Sequence, residues 1–220
     1  MPDILPDAAV VKTMPPVSSH DRILMSAKRL FARNGYENTS TVAIAREAGT
    51  SESQLMKHFG SKQGLLAAIF DRGWASIIER VQATQGTGPP ADRLFGMLEA
   101  MVVELENDSD LKELLTLESR RVRKDNRDVL VSQGFRQFAS LVDGLLGEMQ
   151  RQGQIRPDLK LDAVRAALLG LTECLVRDRV VARRSELSAD YTFDDMKKVL
   201  KLLVRGFGGE AIQPLKAVSR

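Results

Sequence analysis

The chain has 220 residues, 43% of them hydrophobic, enough to bury a sizeable core in one or two domains. Its 16 glycines and 8 prolines gather at a few points, which argues against a disordered chain, and a net charge of +3 fits a polyanionic partner without requiring one. A single cysteine, Cys174, excludes an intrachain disulfide and an all-cysteine metal site. No metal and no cofactor is expected.

Residues 1–17 carry Asp3, Asp7 and four prolines, with neither a basic start nor an uninterrupted apolar stretch. They read as a flexible tail rather than a secretion signal. No run approaches the roughly 18 apolar residues that cross a bilayer, so a soluble cytoplasmic protein with no membrane partner is expected.

Ile23, Ala27, Leu30 and Phe31, at i, i+4, i+7 and i+8, predict an amphipathic helix over residues 22–34. Ser18 with Asp21 offers a capping box at its start, and Gly35 ends it. Two short helices then flank the turn Ala48-Gly49-Thr50-Ser51. Ile44, Ala45 and Ala48 share one face of the first, and Leu55 and Phe59 share one face of the second. Gly49 suits the left-handed position just past a helix end, and Ser51 with Gln54 forms an S-x-x-Q capping box. Two short helices across a glycine turn make a helix-turn-helix, whose second helix can enter the DNA major groove.

From Ser61, a candidate cap, a helix runs from Lys62 to about Gln82 through Leu65, Leu66, Ile69 and Phe70, and the Gly86-Thr87-Gly88-Pro89-Pro90 run breaks the chain. A further helix over about 91–106 carries Leu94, Phe95, Leu98, Met101, Val102 and Leu105. Asp110 is expected to cap a segment with Leu111, Leu114, Leu115 and Val122. After Asp125 a long helix places Phe135, Phe138, Val142, Leu145 and Met149 at steps of three and four. A turn over 153–158 precedes helices over 161–184 and about 193–207. No alternating strand pattern of useful length occurs, so the fold class is all-α. The expected domains are the tail at 1–17, a DNA-binding head at 18–64, a helical ligand-binding and dimerisation domain at 65–209, and a C-terminal tail at 210–220.

Within 18–64, Arg22, Lys28, Arg29, Arg33, Arg46, Lys57 and Lys62 outnumber Asp21, Glu37, Glu47 and Glu52 by three. The small head thus carries a charge equal to that of the whole molecule, an asymmetry expected of a DNA-reading unit.

A three-helix head running into a long helix resembles the tetracycline-repressor (TetR) family of bacterial regulators. The matching residues are Leu30-Phe31, Asn34-Gly35-Tyr36, Thr39-Ser40, Ile44-Ala45, Ala48-Gly49, Ser51, Leu55, His58-Phe59, Ser61-Lys62 and Leu65, in the family's order without a gap. Ser53, Gln54, Lys57 and His58 are the polar residues of the second short helix and are expected to face the groove. Gln54 can make a bidentate contact to adenine, and Lys57 can reach guanine or a phosphate. Ser40 and Lys62 match the family's phosphate contacts, at helix starts where backbone amides favour an anion. Thr41 and Ser51 complete the expected DNA-binding set. For His58 both a contact to DNA and a ring packed on Phe59 stand open. Met56 departs from the family's usual tyrosine; a thioether cannot donate to a phosphate as a phenol can.

The helix over 161–184 is apolar on two sides. One stripe is Leu161, Val164, Leu168, Leu171 and Leu175; a second, of small residues, is Ala163, Ala167, Gly170 and Cys174. Two such faces fit either a helix in the middle of its own domain or a core contact plus a subunit contact. The resemblance implies the second, a homodimer through the last two long helices. Two heads about 34–36 Å apart would then read an inverted repeat in double-stranded DNA. The resemblance also implies a pocket for a small-molecule effector among the middle helices. Phe95, Met101, Glu118, Phe135 and Phe138 are its candidates, with Trp74 as pocket or core. Glu118 shares a face with Leu111, Leu115 and Val122, where a carboxylate needs a partner such as a cationic ligand, Arg121 or Arg177. Cys174 reads as a small hydrophobe at a helix interface.

The functional expectation is a ligand-responsive transcriptional regulator, a repressor released from its operator by an effector. The rivals are an effector-independent architectural or division-linked DNA-binding protein of the same fold, and an all-α enzyme. Against the enzyme stand the two histidines, the single cysteine, and the lack of H-E-x-x-H and of a glycine-rich phosphate loop.

Overall fold

The computed structural model describes residues 18–84, 86–117, 132–183, 185–186 and 188–208. Among these residues there are nine helices and no strand: α1 Ser19–Asn34, α2 Thr41–Glu47, α3 Glu52–Phe59, α4 Lys62–Thr84, α5 Pro90–Asn107, α6 Ser109–Leu117, α7 Gln133–Arg151, α8 Leu161–Ala182 and α9 Phe193–Gly206.

The head is closed by local chemistry. The Ser18 hydroxyl accepts from the Asp21 N–H at 3.1 Å, which starts α1 three residues before the position its apolar period suggests. Gly35 ends α1 at φ +81°, donating its N–H to the Phe31 carbonyl at 2.9 Å. Buried Thr39 then ties the following loop down, its hydroxyl within reach of the Gly35 and Leu30 carbonyls at 2.8 and 3.2 Å. Gly49 takes the left-handed conformation at φ +62°, as the turn requires, although α2 itself stops two residues earlier at Glu47. The Ser51 hydroxyl accepts from the Gln54 N–H at 3.2 Å and starts α3. Ser61 does the same for α4, accepting from Gly64 N–H at 2.9 Å. Ile23, Ala27, Phe31, Ile44, Ala45 and Leu55 meet in the middle of the head, each buried.

The remaining helices enclose a second part of the same apolar cluster, in which α4 packs against α5 and α7, and α7 against α5 and α8. The expected boundary at residue 64 is therefore crossed by α4, which shares Leu65, Leu66 and Ile69 with one continuous core. Two close approaches fix it there. A Cβ on Gly73 would stand 2.5 Å from Leu111 Cδ1 of α6, and one on Gly134 of α7 would stand 2.4 Å from Trp74 Cβ. The Gly134 N–H also donates to Asp71 at 3.0 Å.

Four element readings are corrected. The cap of α6 is Asp108, not Asp110: its carboxylate accepts from the Leu111 N–H at 3.0 Å, and its carbonyl from Lys112 N–H at 2.9 Å. The helix carrying Phe135 and Phe138 starts at Gln133, with Ser132 accepting from the Phe135 N–H at 3.2 Å; the stretch after Asp125, like Val122, lies outside the described residues. α8 ends at Ala182, and its buried stripe is Val164, Leu168, Thr172, Val176 and Val180, with Leu169 beside it. Leu161, Leu171 and Leu175 are half-buried, because steps of four rotate the buried face away from them. The small-residue stripe points outward: Ala163 and Ala167 are exposed, and Gly170 and Cys174 half-buried. On α9, Val199 and Leu202 are likewise exposed, Leu202 to 68%.

Candidate DNA-binding interface

α3 is held from behind and open in front. Leu55 is fully buried, and half-buried Phe59 packs against the core, which anchors one face of the helix. The opposite side presents Ser53, Gln54 and Lys57, all exposed. None of the three side chains makes a hydrogen bond or ion pair among the described residues, so their donors stand free in front of the helix. The turn leading into α3 is tied to α1, whose Arg22 guanidinium donates to the Ala48 carbonyl at 3.1 Å, and α2 is tied to α1 by the ion pair of Arg29 with Glu47 at 2.9 Å.

The other expected residues frame this face. Ser40 and Ser51 are exposed helix caps; the Ser40 hydroxyl accepts from Ala43 N–H at 3.1 Å. Thr41, half-buried, donates its hydroxyl to the Glu52 carboxylate across the start of α3. The Lys62 ammonium lies 4.3 Å from the centre of the buried Tyr36 ring and 3.5 Å from the Glu37 carbonyl. This positions a cation at the first residue of α4, beside the recognition helix. His58 is exposed, with its Nε2 3.1 Å from the Ser19 hydroxyl and its ring edge-on to His20 at 5.6 Å. The geometry ties it to the start of α1; its ring is 6.0 Å from Phe59, a looser approach than that of His20, which stacks on Phe59 at 4.8 Å. Met56 is 42% exposed, leaving an apolar tip at that position.

Residue-by-residue reading of the sequence missed Ser19, His20, Arg22 and Glu52 as parts of this arrangement. The signal for the first two was present: the Ser18–Asp21 box starts the helix at residue 19 and so puts Ser19 and His20 in its first turn.

With this geometry in place, similarity to known proteins decides the family. Residues 23–69 match the family model of bacterial regulatory proteins, tetR family. The chain belongs to the TetR family. Its head is thus a DNA-binding domain, and this TetR-family chain is a transcriptional regulator. It is 23% identical over 189 residues to the fatty acid metabolism regulator protein of Bacillus subtilis, covering 84% of this chain and 93% of that one. The fold is similar to that of the Bacillus subtilis transcriptional regulator FadR in complex with stearoyl-CoA, with a TM-score of 0.72, 20% identity and coverage of 87% and 100%. It is similar too to that of AibR in complex with isovaleryl coenzyme A and operator DNA, with a TM-score of 0.62, 19% identity and coverage of 86% and 99%.

The candidate effector residues of this TetR-family chain do not form one group. Phe135 and Phe138 of α7 both meet Trp74 of α4, at 5.3 and 5.1 Å between ring centres, and Phe138 is fully buried. Phe95 of α5 faces the other way, with the Lys201 ammonium of α9 4.7 Å above its ring. Met101 is buried, and Glu118 lies outside the described residues. A cavity of about 140 Å³ opens instead between the head and the helical core, lined by Leu24 and Lys28 of α1, Ile69, Arg72 and Ser76 of α4, and Glu104, Asp108 and Leu111. Its walls are tied across the junction by Lys28 with Asp108 at 2.5 Å and by Arg72 with Asp21 at 2.6 Å. Arg80 at 2.6 Å and the Ser76 hydroxyl at 2.8 Å hold the Glu104 carboxyl below its ordinary range. Among the described residues no helix is long and apolar enough to cross a membrane.

Proposed function

We propose that this regulator is a cytoplasmic repressor that binds an inverted-repeat operator as a homodimer and is released by an acyl-coenzyme A. The observation that carries the DNA half is α3: a helix anchored by Leu55, with the free side chains of Ser53, Gln54 and Lys57 on its open face. In this reading Gln54 and Lys57 read base edges, and Ser40, Ser51 and Lys62, with the backbone N–H of Thr41 at the start of α2, hold phosphates, setting the register of the head.

The dimer half rests on the outward small-residue stripe of α8 and the exposed Val199 and Leu202 of α9, an apolar surface left bare on a single chain. Two-fold pairing through it would place two heads for one operator. The effector class is supported by the ligands of the two structurally similar regulators, stearoyl-CoA and isovaleryl coenzyme A. Release needs only a differential affinity of about 1–3 kcal/mol between two head spacings, enough for an about 5–150-fold change in operator binding. Operator DNA selected from a random pool with the purified protein, followed by anisotropy titration with octanoyl-CoA, tests the proposal. Selection of a palindrome and its release by octanoyl-CoA is the expected result; a site without two-fold symmetry, or retention of the complex at saturating ligand, contradicts it.

A further inference from the structure

Lys112 is 3% exposed, the most deeply placed cation among the described residues. Its ammonium donates to Glu106 Oε2 at 2.8 Å and makes no other hydrogen bond or ion pair among the described residues, so two of its three N–H donors have no protein acceptor there. Arg179 of α8 takes the other oxygen of the same carboxylate at 3.2 Å. Two cations from α6 and α8 therefore share one anion from the end of α5, an excess of one positive charge among the described residues, with the Lys112 ammonium buried and Glu106 and Arg179 each about a quarter exposed. Unused donors on a buried ammonium are costly, and an oxyanion is the group that would satisfy them and neutralise the charge.

We propose that Lys112 and Arg179 form the oxyanion subsite of the effector, the place where a carboxylate or a phosphate of the ligand is received. The inference rests on the effector-release reading and names the chemistry that the site would take. Its location also supplies coupling. Leu111, the residue before Lys112, packs on Gly73 of α4 and lines the junction cavity with Leu24 and Lys28 of α1. An oxyanion drawn onto the unused donors of Lys112 adds a second anchor to its ammonium beside Glu106, and a resulting shift of α6 acts on α1, which packs against it, and so on the head.

The test uses the full-length protein, calorimetry and DNA anisotropy, at constant ionic strength set with chloride. The probes are octanoate, octanoyl-CoA, inorganic phosphate and, as a neutral control, octanol. Octanoate and octanoyl-CoA separate the two sources of the oxyanion. At least one oxyanion should bind wild type, and Lys112→Met should weaken it about 10–100-fold, the cost of losing a charged hydrogen-bond partner, with operator affinity in the absence of ligand retained. Arg179→Gln, at a half-exposed position where folding is less at risk, should weaken the same probe in the same direction. Equal binding of octanol and octanoate, unchanged oxyanion affinity in both variants, or no oxyanion binding to wild type would each overturn the subsite. Failure of the effector-release reading is distinguishable, because it appears as oxyanion binding that leaves the operator complex intact.

Discussion

Gly170 of α8 separates a subunit contact from a free surface, because the two give opposite signs. A Cβ built on Gly170 meets no atom within 4 Å, so a single chain has room for a side chain there. Replacing glycine by leucine in an unobstructed helix interior gains about 0.5–0.8 kcal/mol of intrinsic helix stability. If the stripe of Ala163, Ala167 and Gly170 packs closely on a partner, the same leucine overfills that contact at a cost of about 1–3 kcal/mol. At about 1.4 kcal/mol per tenfold, the dimer dissociation constant should then rise about 5–150-fold. Sedimentation over a dilution series, with thermal unfolding of the dissociated species, reads both terms. Gly170→Leu should give a weaker dimer built from a more stable monomer. A monomeric wild type that still binds operator tightly, or a variant whose dimer is unchanged, would refute the reasoning.

Gly134→Ala should destabilise the fold by about 1–3 kcal/mol in chemical denaturation, since its Cβ would lie 2.4 Å from Trp74 Cβ, whereas Gly144→Ala, with open space around it, should be neutral or stabilising. Glu104 is held below its ordinary range by Arg80 and Ser76, so its folded state favours the ionised form. That stability is present above the unfolded value of about 4.3 and is lost as pH falls through the lower folded one. The gap in melting temperature between wild type and Glu104→Gln should accordingly close below about pH 4; a gap constant from neutral to acid pH would contradict the assignment. Phe135→Leu should alter release by octanoyl-CoA while sparing effector-free operator affinity, as read by anisotropy; equal loss of both would make Phe135 plain core.

The head was legible because its signals are local. Glycine at 35 and 49, and serine at 18, 40, 51 and 61, each determine a few backbone torsions without reference to the rest of the chain. The same locality makes Leu55 inward and Gln54 outward readable from spacing alone. Contacts across helices were not readable in this way. The pairs Lys62–Tyr36 and His20–Phe59 meet over 26 and 39 residues of sequence, and no periodicity encodes such pairs. Asp108 and Asp110 are chemically equal candidates for the α6 cap in the sequence, and in the fold it is the Asp108 carboxylate that receives the Leu111 N–H, where Leu111 lies against Gly73 of α4. The effector residues scattered for a related reason: Phe95 and Phe138 are both apolar periodic positions, yet α5 turns one toward α9 while α7 turns the other toward Trp74.

The central claim, that α3 reads bases while the start of α4 grips the backbone, is tested most directly by the salt dependence of operator binding for two single variants. Lys62→Ala should weaken operator and random DNA about equally and lower the slope of log affinity against log salt by about one unit per subunit, because each neutralised phosphate releases close to one counterion. Gln54→Ala should instead cost about 1–3 kcal/mol on operator alone, relax the preference at one position per half-site, and leave the slope unchanged. The reverse pattern, a slope carried by Gln54 and a sequence preference carried by Lys62, would contradict the claim and turn the Gln54 face of the recognition helix away from the bases.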